Sequence, residues 1–169
     1  LEILTYNDTM HEAVSHLIRT AFTATDHGYD GEVELTDALR ISSTVTFELV
    51  AFNERKPVGY AMLSVATINS DSDQQGLVLA PLSVAPEFQN QGVGSHLMHV
   101  VENLALQREY QFISILGSPD FYHRFGYTAA SRFGIQAPME IPDEFFMLKP
   151  MTLNHKFNGM LNYAPEFGI

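Results

Sequence analysis

The chain has 169 residues, 46% of them hydrophobic, with 20 acidic against 9 basic residues and a formal charge of −11. That length suits one domain, 1–169, with a sizeable core, and so acidic a balance argues against a nucleic-acid partner, which needs clustered Lys and Arg. Cysteine is absent, which excludes disulfides, thiolate zinc sites and a cysteine nucleophile; no apolar run approaches the roughly 20 residues of a membrane span, and without a signal-peptide pattern a soluble, cytoplasmic protein is the expectation.

Residues 1–6 alternate apolar and polar and predict a first strand. Asp8 or Thr9 then caps a helix whose apolar face uses Met10, Val14, Leu17, Ile18 and Phe22. From Thr23 to Glu34 the pattern breaks into a polar loop carrying Asp26, Asp30, Glu32 and Glu34. This is equally a solvated loop or one wall of a binding site. Leu35–Ile41 predicts a short second helix. Residues 46–53 predict a strand, Asn53-Glu54-Arg55-Lys56 a hairpin turn, and Pro57–Ile68 the returning strand. Gly59 early in that strand implies a bulge or a close approach. Asn69–Gly76 reads as a polar loop.

Residues 77–84 are almost wholly apolar, as for a central strand covered on both faces, and Pro86 ends it by removing an amide donor. The string Gln89-Asn90-Gln91-Gly92-Val93-Gly94-Ser95 follows, and from Leu97 the apolar residues recur at helical spacing to about Arg108. The first amides of a helix have no acceptor within it and carry the positive end of its dipole, so glycines there make an anion site. A P-loop needs Gly-Lys-Ser/Thr and a Rossmann fingerprint a third glycine; neither is present. Taken alone, Gly-x-Gly also fits a tight packed turn.

The whole string, Val84-Ala85-Pro86 followed by Gln-x-x-Gly-x-Gly and a helix, resembles the acetyl-coenzyme A motif of the GNAT family of N-acetyltransferases. After a fifth strand at Gln111–Leu116, Ser118 and Pro119 open a short helix that Gly126 stops. Its Phe121-Tyr122 pair before Gly126-Tyr127 resembles the second signature of that family. The tail Gly159–Phe167 resembles the ending of a bacterial subgroup of predicted acetyltransferases. Phe145–Leu148 predicts a late strand in an irregular, proline-interrupted part that begins near 136. The fold expected is an α/β domain with a mixed, largely antiparallel sheet of about seven strands flanked by helices.

The resemblance implies transfer of an acetyl group from acetyl-CoA, the co-substrate, to the amine of a small molecule or peptide, with no metal. It assigns the coenzyme to Gln89, Asn90, Gln91, Gly92, Val93, Gly94 and Ser95. It also assigns the pantetheine arm to the backbone of Leu82, Ser83 and Val84, on a strand that splays from its neighbour. Tyr122 matches the family's general acid, which protonates the departing thiolate; a core aromatic is the structural alternative. Candidates for the base are Glu48, Asp26 and Glu32, with Glu48 equally readable as a surface residue of an alternating strand. His96 and His99, three apart, read as exposed helix residues rather than metal ligands. Arg124 reads as a phosphate contact or a surface ion pair. A homodimer through the C-terminal third is a further expectation. The rival function is a non-catalytic acyl-CoA sensor.

Overall fold

Nine strands and four α-helices are distributed along residues 1–169, all of which are described by the computed structural model. In order they are β1 (Glu2–Thr5), α1 (His11–Thr23), α2 (Glu32–Ile41), β2 (Thr46–Asn53), β3 (Lys56–Ile68), β4 (Asp71–Val84), α3 (Val93–Gln107), β5 (Phe112–Leu116), α4 (Pro119–Tyr122), β6 (Thr128–Ala129), β7 (Ile135–Gln136), β8 (Phe146–Pro150) and β9 (Gly159–Asn162). Seven of the strands have four residues or more, and β6 and β7 have two each. The fold is a mixed, mostly antiparallel sheet with flanking helices, as expected. No helix is long and apolar enough to cross a membrane.

The chain forms two compact units, Leu1–Leu63 with Pro81–Val101 and Ser64–Ala80 with Glu102–Ile169. In the first, β1 pairs antiparallel with β2, from Glu2↔Phe52 to Thr5↔Leu49. A two-residue turn carrying Glu54 at φ 58° leads from β2 into β3. Helix α1 buries Val14, Leu17 and Ile18 of the expected face, with Ala21 beside them, while Met10 and Phe22 at the ends of that face are half-buried. Its approach is capped differently from the expectation. Asn7, not Asp8 or Thr9, turns its side-chain oxygen to the Thr9 amide at 3.0 Å and opens a 3-10 turn that runs into the helix. Helix α2 begins three residues earlier than predicted, with Glu32 and Glu34 in its first turn, where the dipole favours carboxylates.

In the second unit β4 runs parallel to β5 through Leu77↔Ile113 and Val78↔Ser114. Strand β8 is antiparallel to both β5 and β6, and β9 pairs with β3 and with β7. The core gathers Ile68, Val78, Phe112, Phe146, Leu148, Phe157 and Leu161. Here the expected loop at Asn69–Gly76 is corrected. Asn69 and Ser70 both take left-handed φ (54° and 57°) and make a two-residue turn, and β4 starts at Asp71. Contacts from near β9 hold that turn: Asn69 Nδ2 donates to the Asn158 carbonyl at 2.9 Å, and the Ser70 amide donates to Asn162 Oδ1. Asp71–Asp73 are exposed, so this part of the strand has no buried face to announce it.

Candidate active site

The first unit holds the end of β4, the turn and the start of α3. Ser83 is buried, and its hydroxyl oxygen has no hydrogen-bond partner. Beyond Val84 the chain is pinned at Ala85, whose amide donates to the Val58 carbonyl at 2.9 Å. A 3-10 turn over Pro86–Phe88 follows. Gln89 Nε2 then reaches back to the Val84 carbonyl at 3.2 Å, and Gln91 Nε2 to the Glu87 carbonyl at 2.9 Å. Both glutamine side chains therefore brace the turn, a task the motif alone does not reveal. Asn90 and Gly92 take positive φ, 61° and 88°, and a Cβ on Gly92 would meet open space. The first α3 amide to close a turn is that of His96, onto the Gly92 carbonyl at 2.9 Å. The amides of Val93, Gly94 and Ser95 precede it, so they lie in the turn whose donors a helix cannot satisfy. They sit beside the exposed residues Asn90–Gly92.

A carboxylate beside an anion site would work against it, and Glu87 lies in this turn. Lys56 donates to Glu87 at 2.9 Å and holds its carboxyl below the usual range. The ion pair offsets the local negative charge. On an acidic chain this leaves backbone dipoles as the attractive field for a phosphate.

Of the three carboxylates considered as bases, Glu48 is not a surface residue. Its side chain is 9% exposed and accepts from Arg40 Nη2 at 2.6 Å, Arg40 Nε at 3.0 Å and the Tyr60 hydroxyl at 2.6 Å. Arg40 also reaches Asp37 at 2.8 Å and lies over the Tyr6 ring at 4.2 Å. Burial draws the guanidinium towards neutrality, but the hydrogen bonds and charge of Glu48 outweigh it and hold its pKa above the ordinary value. Tyr60 is raised by burial and by the Glu48 charge. Glu48 is thus committed to a structural cluster. Glu32 closes its own loop by accepting the Asp30 amide at 2.8 Å, and Glu34 accepts the Tyr29 hydroxyl. Asp26 is exposed.

Tyr122 belongs to the second unit. Pro119 stands at the first helical position of α4, as predicted, though Ser118 makes no side-chain cap bond. The helix continues into a 3-10 turn that ends at Gly126 with φ 90°. Tyr122 packs edge-on against Phe121, with centroids 4.9 Å apart, and against Tyr127 at 6.2 Å. Burial alone raises its phenol pKa, with no charge or hydrogen bond contributing. Gly117 makes room for the ring: a Cβ there would lie 2.7 Å from Tyr122 Cε2. Lys149 Nζ ties the end of this segment down, donating to the Phe125 carbonyl at 2.8 Å and to Glu102 at 2.9 Å. Gly117 stands next to the motif in the sequence, whereas Lys149 lies 24 residues from Phe125 and carries no local signal of this contact. Arg124 lies over the Phe121 and Phe125 rings, at 4.9 and 5.4 Å. His96 and His99 are exposed on α3.

Residues 11–127 match the acetyltransferase (GNAT) family. The chain belongs to that family. Among its curated relatives is the uncharacterized N-acetyltransferase YjhQ of Escherichia coli, 34% identical over 133 residues, 74% of this chain and 73% of that protein. The uncharacterized N-acetyltransferase YhbS of Escherichia coli is 29% identical over 159 residues, 91% of this chain and 90% of that protein. The crystal structure of YhbS in complex with CoA superposes with a TM-score of 0.88 at 23% identity, covering 99% of this chain and 92% of that one. A GNAT acetyltransferase from Brucella melitensis in complex with acetyl-CoA gives 0.81 at 22% identity, covering 98% and 97%. The GNAT fold and an acetyl-CoA-dependent acyltransferase activity follow from this membership.

Proposed function

We propose that this GNAT protein moves the acetyl group of acetyl-CoA directly to a primary amine, on a small molecule or a peptide. The braced turn Gln89–Ser95 carries the reading. Its open Gly92 and helix-start amides suit a pyrophosphate. The end of β4 suits the pantetheine arm, which pairs with the backbone of Leu82, Ser83 and Val84. YhbS and the Brucella protein, similar in fold, form complexes with CoA and with acetyl-CoA, which supports a coenzyme as the ligand.

The neutral amine attacks the thioester carbonyl carbon, its oxygen takes up the negative charge, and backbone amides stabilise it. The attacking nitrogen, now cationic, gives one proton to water; the carbonyl re-forms as the C–S bond breaks, and Tyr122 gives its proton to the departing sulfur and regains one from solvent. A phenol raised by burial stays protonated at neutral pH, the state an acid must hold. The chain's formal charge of −11 favours a cationic acceptor. Free thiol released from acetyl-CoA is measured against amines, polyamines and short peptides. Amine-dependent release that falls roughly 100-fold or more in Tyr122→Phe, with CoA binding intact, is the expected result. Equal turnover in that variant removes Tyr122 from the mechanism, and CoA binding without release for any amine favours the sensor.

A further inference from the structure

The start of β3 touches the β4–α3 turn at both of its ends. At the entry, the Val58 carbonyl accepts the Ala85 amide at 2.9 Å. Lys56 holds Glu87 at 2.9 Å and lies 5.7 Å from the centre of the Phe88 ring. At the exit, Gly59 lies beneath the first turn of α3. A Cβ on Gly59 would stand 2.7 Å from Val93 Cγ1, 3.0 Å from Leu97 Cδ1 and 3.3 Å from the Ala51 Cβ. Gly59 is not in the left-handed region, so its glycine is set by space and not by backbone conformation. Val93 and Leu97 are buried, 4% and 0% exposed, and have little room to yield. Val93 is also the first residue of α3, and it precedes Gly94 and Ser95, whose amides carry the anion site.

We infer that Gly59 is a positioning residue for coenzyme binding: its missing side chain lets α3 sit close on β3, and Val58 pins the other end of the same turn. The inference rests on the turn being the coenzyme site. A methyl at 59 pushes Val93 outwards by several tenths of an ångström or tilts the helix start, and the amides lose their aim at the phosphates. Misplacement on this scale costs binding steeply, because hydrogen bonds to a phosphate depend on direction as well as distance.

The test compares Gly59→Ala, Gly59→Ala/Val93→Ala and Ser95→Glu with the natural chain, by steady-state kinetics and by CoA titration, with circular dichroism to confirm folding. Gly59→Ala should raise the KM for acetyl-CoA and the Kd for CoA about ten-fold, with the KM for the amine unchanged and kcat within about three-fold. A general loss of packing would not produce that split. The double variant removes the clashing Cγ1 and should recover most of the coenzyme affinity. It also carries the test where the single variant does not fold, since a folded double variant with near-natural Kd locates the clash at this contact. A folded Gly59→Ala with unchanged KM for acetyl-CoA overturns the inference, as does a double variant as impaired as the single one. Ser95→Glu separates this from the underlying reading. If it leaves CoA binding intact, the turn is not the coenzyme site; if it abolishes binding while Gly59→Ala is neutral, only the positioning role fails.

Discussion

Replacing Arg40 by Met tests the assignment of Glu48 to structure and not to catalysis. Arg40 gives Glu48 three hydrogen bonds, at 2.6, 3.0 and 3.2 Å, and the two side chains are 17% and 9% exposed. Removing one partner of a buried pair leaves the other charged and uncompensated, at about 3–5 kcal/mol. The low end applies, since Tyr60 still donates to Glu48 at 2.6 Å and water reaches part of the arginine. For a chain of this size about 3 kcal/mol corresponds to a fall in Tm of about 6–12 °C. The assay is thermal unfolding followed by circular dichroism, repeated on Arg40→Met/Glu48→Gln, which removes both charges and should regain more than half of the loss. Turnover in the double variant should stay within a few-fold of the natural chain below its transition. A single variant melting within about 2 °C of the natural chain would refute the buried-pair reasoning, because that is the scale of an exposed pair. A loss of turnover near 100-fold in the double variant would return Glu48 to the role of base.

Gly117→Ala places a methyl 2.7 Å from Tyr122 Cε2; kcat should fall about ten-fold while the KM for acetyl-CoA changes little, as the ring is displaced from its aim. Steady-state kinetics check this, and unchanged kcat would show that the ring position is not critical. Burial raises the phenols of Tyr60, Tyr122, Tyr127 and Tyr163 above their ordinary value, with the Glu48 charge adding at Tyr60 and the Glu102 charge at Tyr127. The folded chain therefore keeps protons that the unfolded chain releases. Stability from these groups is complete below about pH 10 and is lost as pH rises beyond it. Tm measured across that range should fall on the alkaline side. Ultraviolet titration in which all seven tyrosines ionise together near pH 10, with the fold retained, would contradict it.

What could be read from the sequence follows from where each constraint lies. Strand β2, Thr46–Asn53, matches the expected bounds because its apolar residues and its hairpin turn are local signals. The start of β4 carries no strand signal in the sequence because Asp71–Asp73 are exposed and its turn is held by Asn158 and Asn162, about 90 residues away in the chain. Glu48 misled for a similar reason. On an alternating strand a carboxylate ordinarily faces water, and only the fold shows Arg40 and Tyr60 closing around it. The turn Gln89–Ser95 was legible because helix-start amides and glycines are local features, whereas the bracing by the Gln89 and Gln91 side chains needs the chain's reversal. For Gly59 the sequence fits a bulge and close packing equally, and Val93, Leu97 and Ala51, which no local pattern brings to it, decide for packing.

The most direct measurement is titration of CoA into the natural chain and Ser95→Glu. A glutamate in the first turn of α3 suits the helix dipole and should leave the fold intact, yet it sets a carboxylate where we propose that the pyrophosphate binds. A Kd at least about ten-fold higher in the variant, at unchanged Tm, is the predicted result, since like charges at contact cost more than one decade in affinity. Equal affinity in the two proteins would contradict the placement of acetyl-CoA at the Gln89–Ser95 turn.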